Sequence, residues 1–293
     1  MPLQVEVPST FGHKIPKKCW FIESDNKNSK SAFILLHGWF GNLQSCLPFL
    51  NVLKKCGVLK THHVLIVDLK DHVGKSFESN TGLKGVTDLY DSVAFLHNAH
   101  GVTKFDVYAQ SISALSALMF FDCYLKVKDG SICDEPHPCG FISGVDVDLL
   151  KKVNFGDFIL ESPVSNISEY LSNSFSESLN WVIQQFIQTV NSRSSHHIDS
   201  LSLNTFLSNH KIRGNVHILQ GMHDRVTSPK MLQNELAALK SNVNLYVFKD
   251  GGHTDLSATS PGEYLETVNY IINYKGLWKL FKFLKNKKNN LEL

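Results

Sequence analysis

The chain has 293 residues, of which 43% are hydrophobic and 19% are charged, and its formal charge at pH 7 is +2. This balance excludes wholesale disorder and a fibrous repeat, and the length suffices for one large α/β domain with an insertion. Arginine occurs only at positions 193, 213 and 225. Because sequence-specific nucleic-acid readers depend on bidentate arginine contacts, we expect no nucleic-acid partner.

Neither a secretory signal nor a membrane span is apparent in the chain. The N-terminus lacks the apolar run of a signal peptide, and no segment approaches about 18 consecutive apolar residues. We therefore expect a cytoplasmic protein, whose six cysteines are free thiols rather than a disulfide framework. Cys133, His137 and Cys139 cluster in sequence, but a fourth ligand and a second paired motif are missing, so we predict no metal site.

Seven apolar runs of strand length, separated by helix-length segments, follow one another along the chain. Near-continuous apolar strands that alternate with helices are typical of a mainly parallel central sheet with helices on both faces. The predicted fold class is therefore α/β. The runs are CWFI near 19–22, AFILLHG at 32–38, HVLIVDL at 63–69, FDVYAQ at 105–110, DFILESP at 157–163, VHILQG at 216–221 and LYVFKD at 245–250.

Two segments interrupt this alternation. Residues 164–210 are rich in serine and asparagine, and apolar residues at i, i+3, i+4 and i+7 within them predict one amphipathic helix. We interpret 164–210 as a short helical cap inserted over the site, the alternative being a surface helix pair packed on the sheet. Residues 128–155 form a second insertion, which contains the cysteine cluster. We predict a single domain over 1–293.

The stretch VYAQSISALSAL places Ser111 between a predicted strand and a helix. A serine at this point is a good helix N-cap. The alternative is a nucleophile on a strained strand-to-helix turn, usually written Gly-x-Ser-x-Gly, which needs small residues two places before and after the serine. Ala109 and Ser113 are both small, so this steric requirement is met without glycine.

Three other loops follow predicted strands and supply the remaining groups that acyl transfer needs. In HGWFGN the turn directs the backbone N–H of Trp39 toward the serine, where it forms an oxyanion hole with the N–H of Ile112. GMHDRVTSP offers Asp224, and DGGHTDL offers His253. The chain order Ser111, Asp224, His253 is the order of the α/β-hydrolase triad.

Read together, these motifs make the chain from about residue 18 to 275 similar to the α/β-hydrolase fold serine hydrolases. ILLHGWFGN resembles their oxyanion loop, VDLKDHVGKS their Asp-x-x-Gly-His-Gly segment and YAQSISALSA their nucleophile elbow; HILQGMHDRVTSP resembles the acid loop and FKDGGHTDL the histidine loop. The chain departs from the pattern at Ala109 and Ser113 and at Asp71 and Val73, where glycines are usual.

The resemblance implies an esterase-, lipase- or thioesterase-like enzyme that cleaves a carboxylic ester or thioester of an acyl substrate without a cofactor. A peptidase or amidase of the same fold is one alternative, and a non-catalytic hydrolase-like binding protein is another. Asp224 could instead cap the helix that begins near Ser228, with Asp250 or Asp255 orienting His253. Candidate substrate-binding residues are His37, Phe40, Trp181 and Phe186.

The segment YKGLWKLFKFLKNKKNN predicts an amphipathic basic helix over residues 275–288. Leu277, Trp278 and Phe281 lie on one face, and lysines lie on the other. Such a helix can lie on an anionic membrane as a peripheral contact. The alternative is that it is the last helix of the fold, with its apolar face packed on the sheet and its lysines in water.

Overall fold

The computed structural model describes residues 2–9, 16–39, 41–69, 83–130, 145–166, 181, 185, 202–208, 212, 215–237 and 243–274. Eight strands form one sheet. They are β1 (Leu3–Val7), β2 (Lys17–Ile22), β3 (Ser31–Leu36), β4 (His63–Val67), β5 (Lys104–Gln110), β6 (Asn154–Glu161), β7 (Val216–Gly221) and β8 (Asn244–Phe248).

The strand order in the sheet is β1-β2-β4-β3-β5-β6-β7-β8. β2 pairs antiparallel with β1 and β4, and all other neighbours are parallel. The seven predicted strands are therefore present. β1 was not predicted, because its alternating polar residues Gln4 and Glu6 suit an exposed edge strand rather than a continuous apolar run.

Helices cover both faces of the sheet. They are α1 (Leu47–Lys55), α2 (Leu83–His100), α3 (Ile112–Lys128), α4 (Val147–Lys152), α5 (Leu203–Leu207), α6 (Pro229–Ala237), α7 (Leu256–Thr259) and α8 (Pro261–Asn273), with short 3₁₀ helices at Leu43–Cys46 and Val58–Lys60. Within the described ranges no helix combines the length and apolar character needed to cross a membrane.

The strand side chains alternate between two apolar layers, as the two-residue period of a strand requires. In β3, for example, Ile34 and Leu36 join the layer that α2 and α3 cover, whereas Phe33 and Leu35 join the layer under α1 and α8. Burial on both faces explains why the central strands are apolar almost without interruption.

Part of the predicted cap segment 164–210 lies outside the described residues, and its C-terminal part belongs to the core. α5 is buried through Leu203, Phe206 and Leu207, which join the same apolar layer as α3. Of the second insertion, residues 131–144 lie outside the described part, and α4 leads from it into β6. The basic helix predicted at 275–288 lies wholly outside the described residues.

Candidate active site

Ser111 stands on the turn between β5 and α3 with φ 53° and ψ −121°, a backbone conformation unusual for a residue with a side chain. Its hydroxyl makes no capping hydrogen bond to α3, so the structure does not use it as an N-cap. The turn is held from both sides. Its N–H donates to the carbonyl of Glu161 at 3.0 Å, and its carbonyl accepts from the N–H of Val164 at 3.2 Å.

The residues around this turn are small where the chain is crowded. Ser113 donates its hydroxyl to the carbonyl of His37 at 2.6 Å, so a serine at this elbow position ties α3 to the loop after β3. Gly38 comes next in that loop, and a Cβ placed on it would lie 3.0 Å from the Cβ of Ser111. The loop that contains Trp39 therefore packs directly against Ser111.

His253 connects Ser111 with Asp224. Its Nε2 lies 3.1 Å from the Ser111 Oγ, and its Nδ1 lies 2.9 Å from Oδ2 of Asp224. An ionised carboxylate can only accept hydrogen bonds, so Nδ1 must carry the ring proton. Nε2 then has a free lone pair, which can accept the proton of the Ser111 hydroxyl.

Asp224 is buried and receives several donors besides His253. Its Oδ1 accepts from the N–H groups of Val226 and Thr227 at 2.9 and 2.8 Å. Its Oδ2 accepts from the Thr227 hydroxyl at 2.7 Å and from Nε2 of Gln220 at 3.2 Å. Burial acts to raise the pKa of Asp224, but the hydrogen bond and charge of His253 and the Thr227 donors outweigh it, and the net pKa is lowered.

The alternatives for the acid have other roles in the structure. Ser228 accepts from the N–H of Met231 at 3.3 Å in the first turn of α6, a contact that Asp224 does not make. Asp255 accepts from the N–H of Gly252 at 2.7 Å and so braces the glycine turn before His253. Asp250 is exposed. Among these aspartates the structure brings Asp224 to the imidazole.

The other predicted site residues lie as follows. His37 is buried, and its ring bonds within the fold: Nε2 accepts from the N–H of Leu69 at 2.9 Å, which leaves Nδ1 to donate to the Gly38 carbonyl at 2.8 Å. Ile112 is the first residue of α3, where a helix N–H has no acceptor within the helix. Trp181 is 70% exposed. Phe40 and Phe186 lie outside the described residues.

Sequence reasoning missed three residues that support the site. Thr227 and Gln220 both donate to Asp224, and the hydroxyl of Ser162 accepts from the N–H of Thr254, next to His253. The sequence did hold a signal for Ser162, since it follows β6 at the edge of the sheet where the other site residues lie. The role of Gln220 could not be predicted in this way, because the sequence around a buried glutamine inside a strand does not indicate which group its side chain contacts.

No protein-family model and no curated protein matches the chain in sequence. Solved structures match in fold. An esterase of Pyrococcus furiosus, Pf2001, is 17% identical with a TM-score of 0.60, over 93% of this chain and 92% of that chain. Thermogutta terrifontis Est2, a thermophilic esterase, is 14% identical with a TM-score of 0.57, over 95% and 92%.

Est1E from Butyrivibrio proteoclasticus is 12% identical with a TM-score of 0.60, and the match covers 94% of this chain and 98% of that chain. Identities this low establish the fold alone. The sheet order and these matches show that the chain has the α/β-hydrolase fold, which confirms the predicted fold class.

Proposed function

We propose that the protein is a serine hydrolase that cleaves a carboxylic ester or thioester through Ser111, His253 and Asp224. One observation carries this proposal: a continuous hydrogen-bonded chain from the Ser111 hydroxyl through His253 to a buried carboxylate, with contacts of 3.1 and 2.9 Å. The strained backbone at Ser111 supports the same role, because it projects the hydroxyl out of the turn instead of toward the helix N-terminus.

In the proposed reaction the Ser111 Oγ attacks the acyl carbonyl carbon while its proton passes to Nε2 of His253. The tetrahedral intermediate then collapses, the bond to the leaving oxygen or sulfur breaks, and His253 returns its proton to the leaving group. Water repeats both steps on the acyl-enzyme and releases the acid. Asp224 holds the imidazole in the required tautomer and stabilises the imidazolium.

We assign the oxyanion hole to the N–H groups of Trp39 and Ile112. Two observations support it: the Gly38 backbone lies against Ser111, and Ile112 is the first residue of α3. A donor pair aimed at the developing oxyanion contributes on the order of 10²- to 10³-fold in kcat per donor.

Labelling with a fluorophosphonate probe tests the proposed nucleophile. Wild type is expected to be labelled covalently, and Ser111→Ala is expected to lose both the label and ester hydrolysis. Ser116→Ala is the matched control, since Ser116 is another buried serine of α3. Failure of the probe to label wild type would favour the non-catalytic binding protein. Hydrolysis that survives in Ser111→Ala would refute the assignment.

We propose an acyl substrate, which has a lipid-like chain if the segment around the exposed Trp181 covers the site. The purified protein should be profiled on p-nitrophenyl esters of increasing chain length, on an acyl thioester and on a matched anilide. Turnover that is confined to the anilide would establish the amidase alternative instead.

We also propose peripheral membrane contact for residues 275–288 of an otherwise cytoplasmic protein. The support is the sequence pattern alone: apolar residues on one face and lysines on the other. Sedimentation with anionic liposomes should be lost when residues 275–293 are deleted, and binding that survives the deletion would contradict the proposal.

A further inference from the structure

Three non-glycine residues in the described part of the chain have positive φ: Ser111 at 53°, Ser162 at 47° and Thr254 at 56°. All three lie at the proposed active site. Ser111 is the proposed nucleophile, and Thr254 directly follows His253. Residues in this backbone region persist only where their surroundings hold them, and they concentrate at functional sites. Ser162 has no part in the reaction as proposed above.

The polar groups of Ser162, which is fully buried, contact three different segments of the site. Its N–H donates to the carbonyl of Leu219 in β7 at 2.9 Å. Its carbonyl lies 3.3 Å from the Thr227 hydroxyl in the acid loop, and its own hydroxyl accepts from the N–H of Thr254 at 3.2 Å. This one residue after β6 thus contacts the acid loop through its backbone carbonyl and the histidine loop through its side chain.

These contacts differ in strength. The Thr227 hydroxyl has one proton, and its 2.7 Å contact with Asp224 is much shorter than its 3.3 Å contact with the Ser162 carbonyl. The Ser162 carbonyl is therefore a weaker acceptor for the Thr227 hydroxyl proton than the Asp224 carboxylate is. The bond from Thr254 to the Ser162 hydroxyl links the two strained residues, and it fixes the peptide unit adjacent to His253.

We propose that Ser162 is a positioning residue for His253: its hydroxyl holds the Thr254 N–H and thereby keeps Nε2 of His253 within reach of Ser111. This inference rests on the proposed function. The histidine loop also contains Gly251 and Gly252, whose lack of side chains leaves the loop more conformational freedom than other residues would. The hydrogen bond to the Thr254 N–H limits that freedom immediately after His253. The 3.1 Å contact between His253 and Ser111 depends on this restriction.

Substitution by glycine separates positioning from folding. Ser162→Gly removes the hydroxyl, while glycine adopts a positive φ without steric cost, so the variant should fold as well as wild type. Ser162→Ala removes the same hydroxyl but keeps the strained Cβ. The matched control is Ser165→Ala, because Ser165 is buried three residues further along and its hydroxyl has no hydrogen-bond partner among the described residues.

We expect Ser162→Gly and Ser162→Ala to lower kcat on a p-nitrophenyl ester by roughly 10- to 100-fold, as a misplaced catalytic group does, with KM within about twofold. Fluorophosphonate labelling should slow by the same factor. Ser165→Ala should keep kcat within about twofold. Wild-type kcat in Ser162→Gly would overturn the proposal, and so would a loss of kcat that only tracks Tm across the three variants.

A second measurement separates this inference from the proposed function. The imidazole Nδ1 proton in the His253–Asp224 hydrogen bond is observed directly by proton NMR, without any substrate. Ser162→Gly should broaden or remove this resonance, and Ser165→Ala should retain it. If wild type shows no turnover that depends on Ser111, the proposed function fails, and the resonance alone decides the positioning role. An unchanged resonance in Ser162→Gly would then overturn it.

Discussion

Among single residues, Glu161 is a buried acid next to the site that the proposed reaction does not use. Its carbonyl accepts from the N–H of Ser111, and its side chain enters the layer under α1 and α8. There Oε2 accepts from the Tyr108 hydroxyl at 2.6 Å and from the Tyr264 hydroxyl. Burial raises the pKa of Glu161 above its ordinary value of 4.5, although the two tyrosine hydroxyls act to lower it.

This raised pKa predicts how stability depends on pH. The folded state binds a proton at Glu161 where the unfolded chain has already released it, so the contribution is complete below about pH 4.5 and is lost as pH rises through the folded pKa. We expect the free energy of unfolding of wild type, measured relative to Glu161→Gln, to fall as pH rises from 4.5 to 8. Urea denaturation of both proteins at several pH values measures this difference.

The direction can be checked with Tyr264→Phe, which removes one donor that favours the carboxylate. The pKa of Glu161 should then rise further, and the fall relative to Glu161→Gln in the same background should extend to higher pH. A difference between wild type and Glu161→Gln that stays constant across the range would contradict the assignment.

Between elements, the site depends on how closely the loops after β7 and β8 approach each other. A Cβ placed on Gly221 would lie 2.3 Å from the Gly251 carbonyl oxygen, which no side chain can tolerate without a backbone shift. The N–H of His223 also donates to that carbonyl at 2.8 Å. The acid loop and the histidine loop therefore meet at the contact between Gly221 and Gly251.

We expect Gly221→Ala to lower kcat by about 10- to 100-fold, because the added methyl separates the loops that carry Asp224 and His253. The same change should reduce the free energy of unfolding by about 1–3 kcal/mol through overpacking. Kinetics on a p-nitrophenyl ester and urea denaturation measure the two effects. Gly262→Ala is the matched control, since a Cβ there meets nothing within 4 Å. Equal activity in the two variants would argue against the loop contact.

At the scale of the whole molecule, a buried ion cluster ties the antiparallel end of the sheet to α2. Lys17, in β2, contacts the carboxylates of Asp88 and Asp91 of α2, with Asp91 at 2.7 Å. Burial acts to lower the pKa of Lys17, but the two aspartates outweigh it and the net pKa is raised. The ammonium group therefore stays charged inside the fold, in a strand that β4 and β3 separate from β5, the strand before Ser111.

Removing this cation should destabilise the whole domain rather than the site. Lys17→Met leaves two buried carboxylates without their ammonium partner, which costs about 3–5 kcal/mol in free energy of unfolding. Lys18→Met changes the adjacent, exposed lysine and should cost little. Chemical denaturation compares the variants, and a Lys17→Met protein as stable as Lys18→Met would show that the cluster contributes nothing. The kcat of the folded fraction should stay near the wild-type value.

The local pattern of the sequence was enough to predict the α/β class, the seven strands β2 to β8, and the loops that carry Ser111, Asp224 and His253. Burial on both faces of a sheet requires apolar runs, and turns at strand ends require small or polar residues. Both requirements act on residues that are neighbours in the chain, so both can be recognised in the sequence. The amphipathic helices at 164–210 and 275–288 stay predictions.

Only the tertiary structure decided which groups meet. Ser162, Gln220 and Glu161 lie after or within strands that are distant in sequence from Ser111 and His253, and nothing next to them along the chain specifies their partners. The same holds for Nε2 of His37, which accepts from the N–H of Leu69. A sequence states which donors and acceptors exist, but their pairing depends on distances that only the folded sheet and its packed loops set.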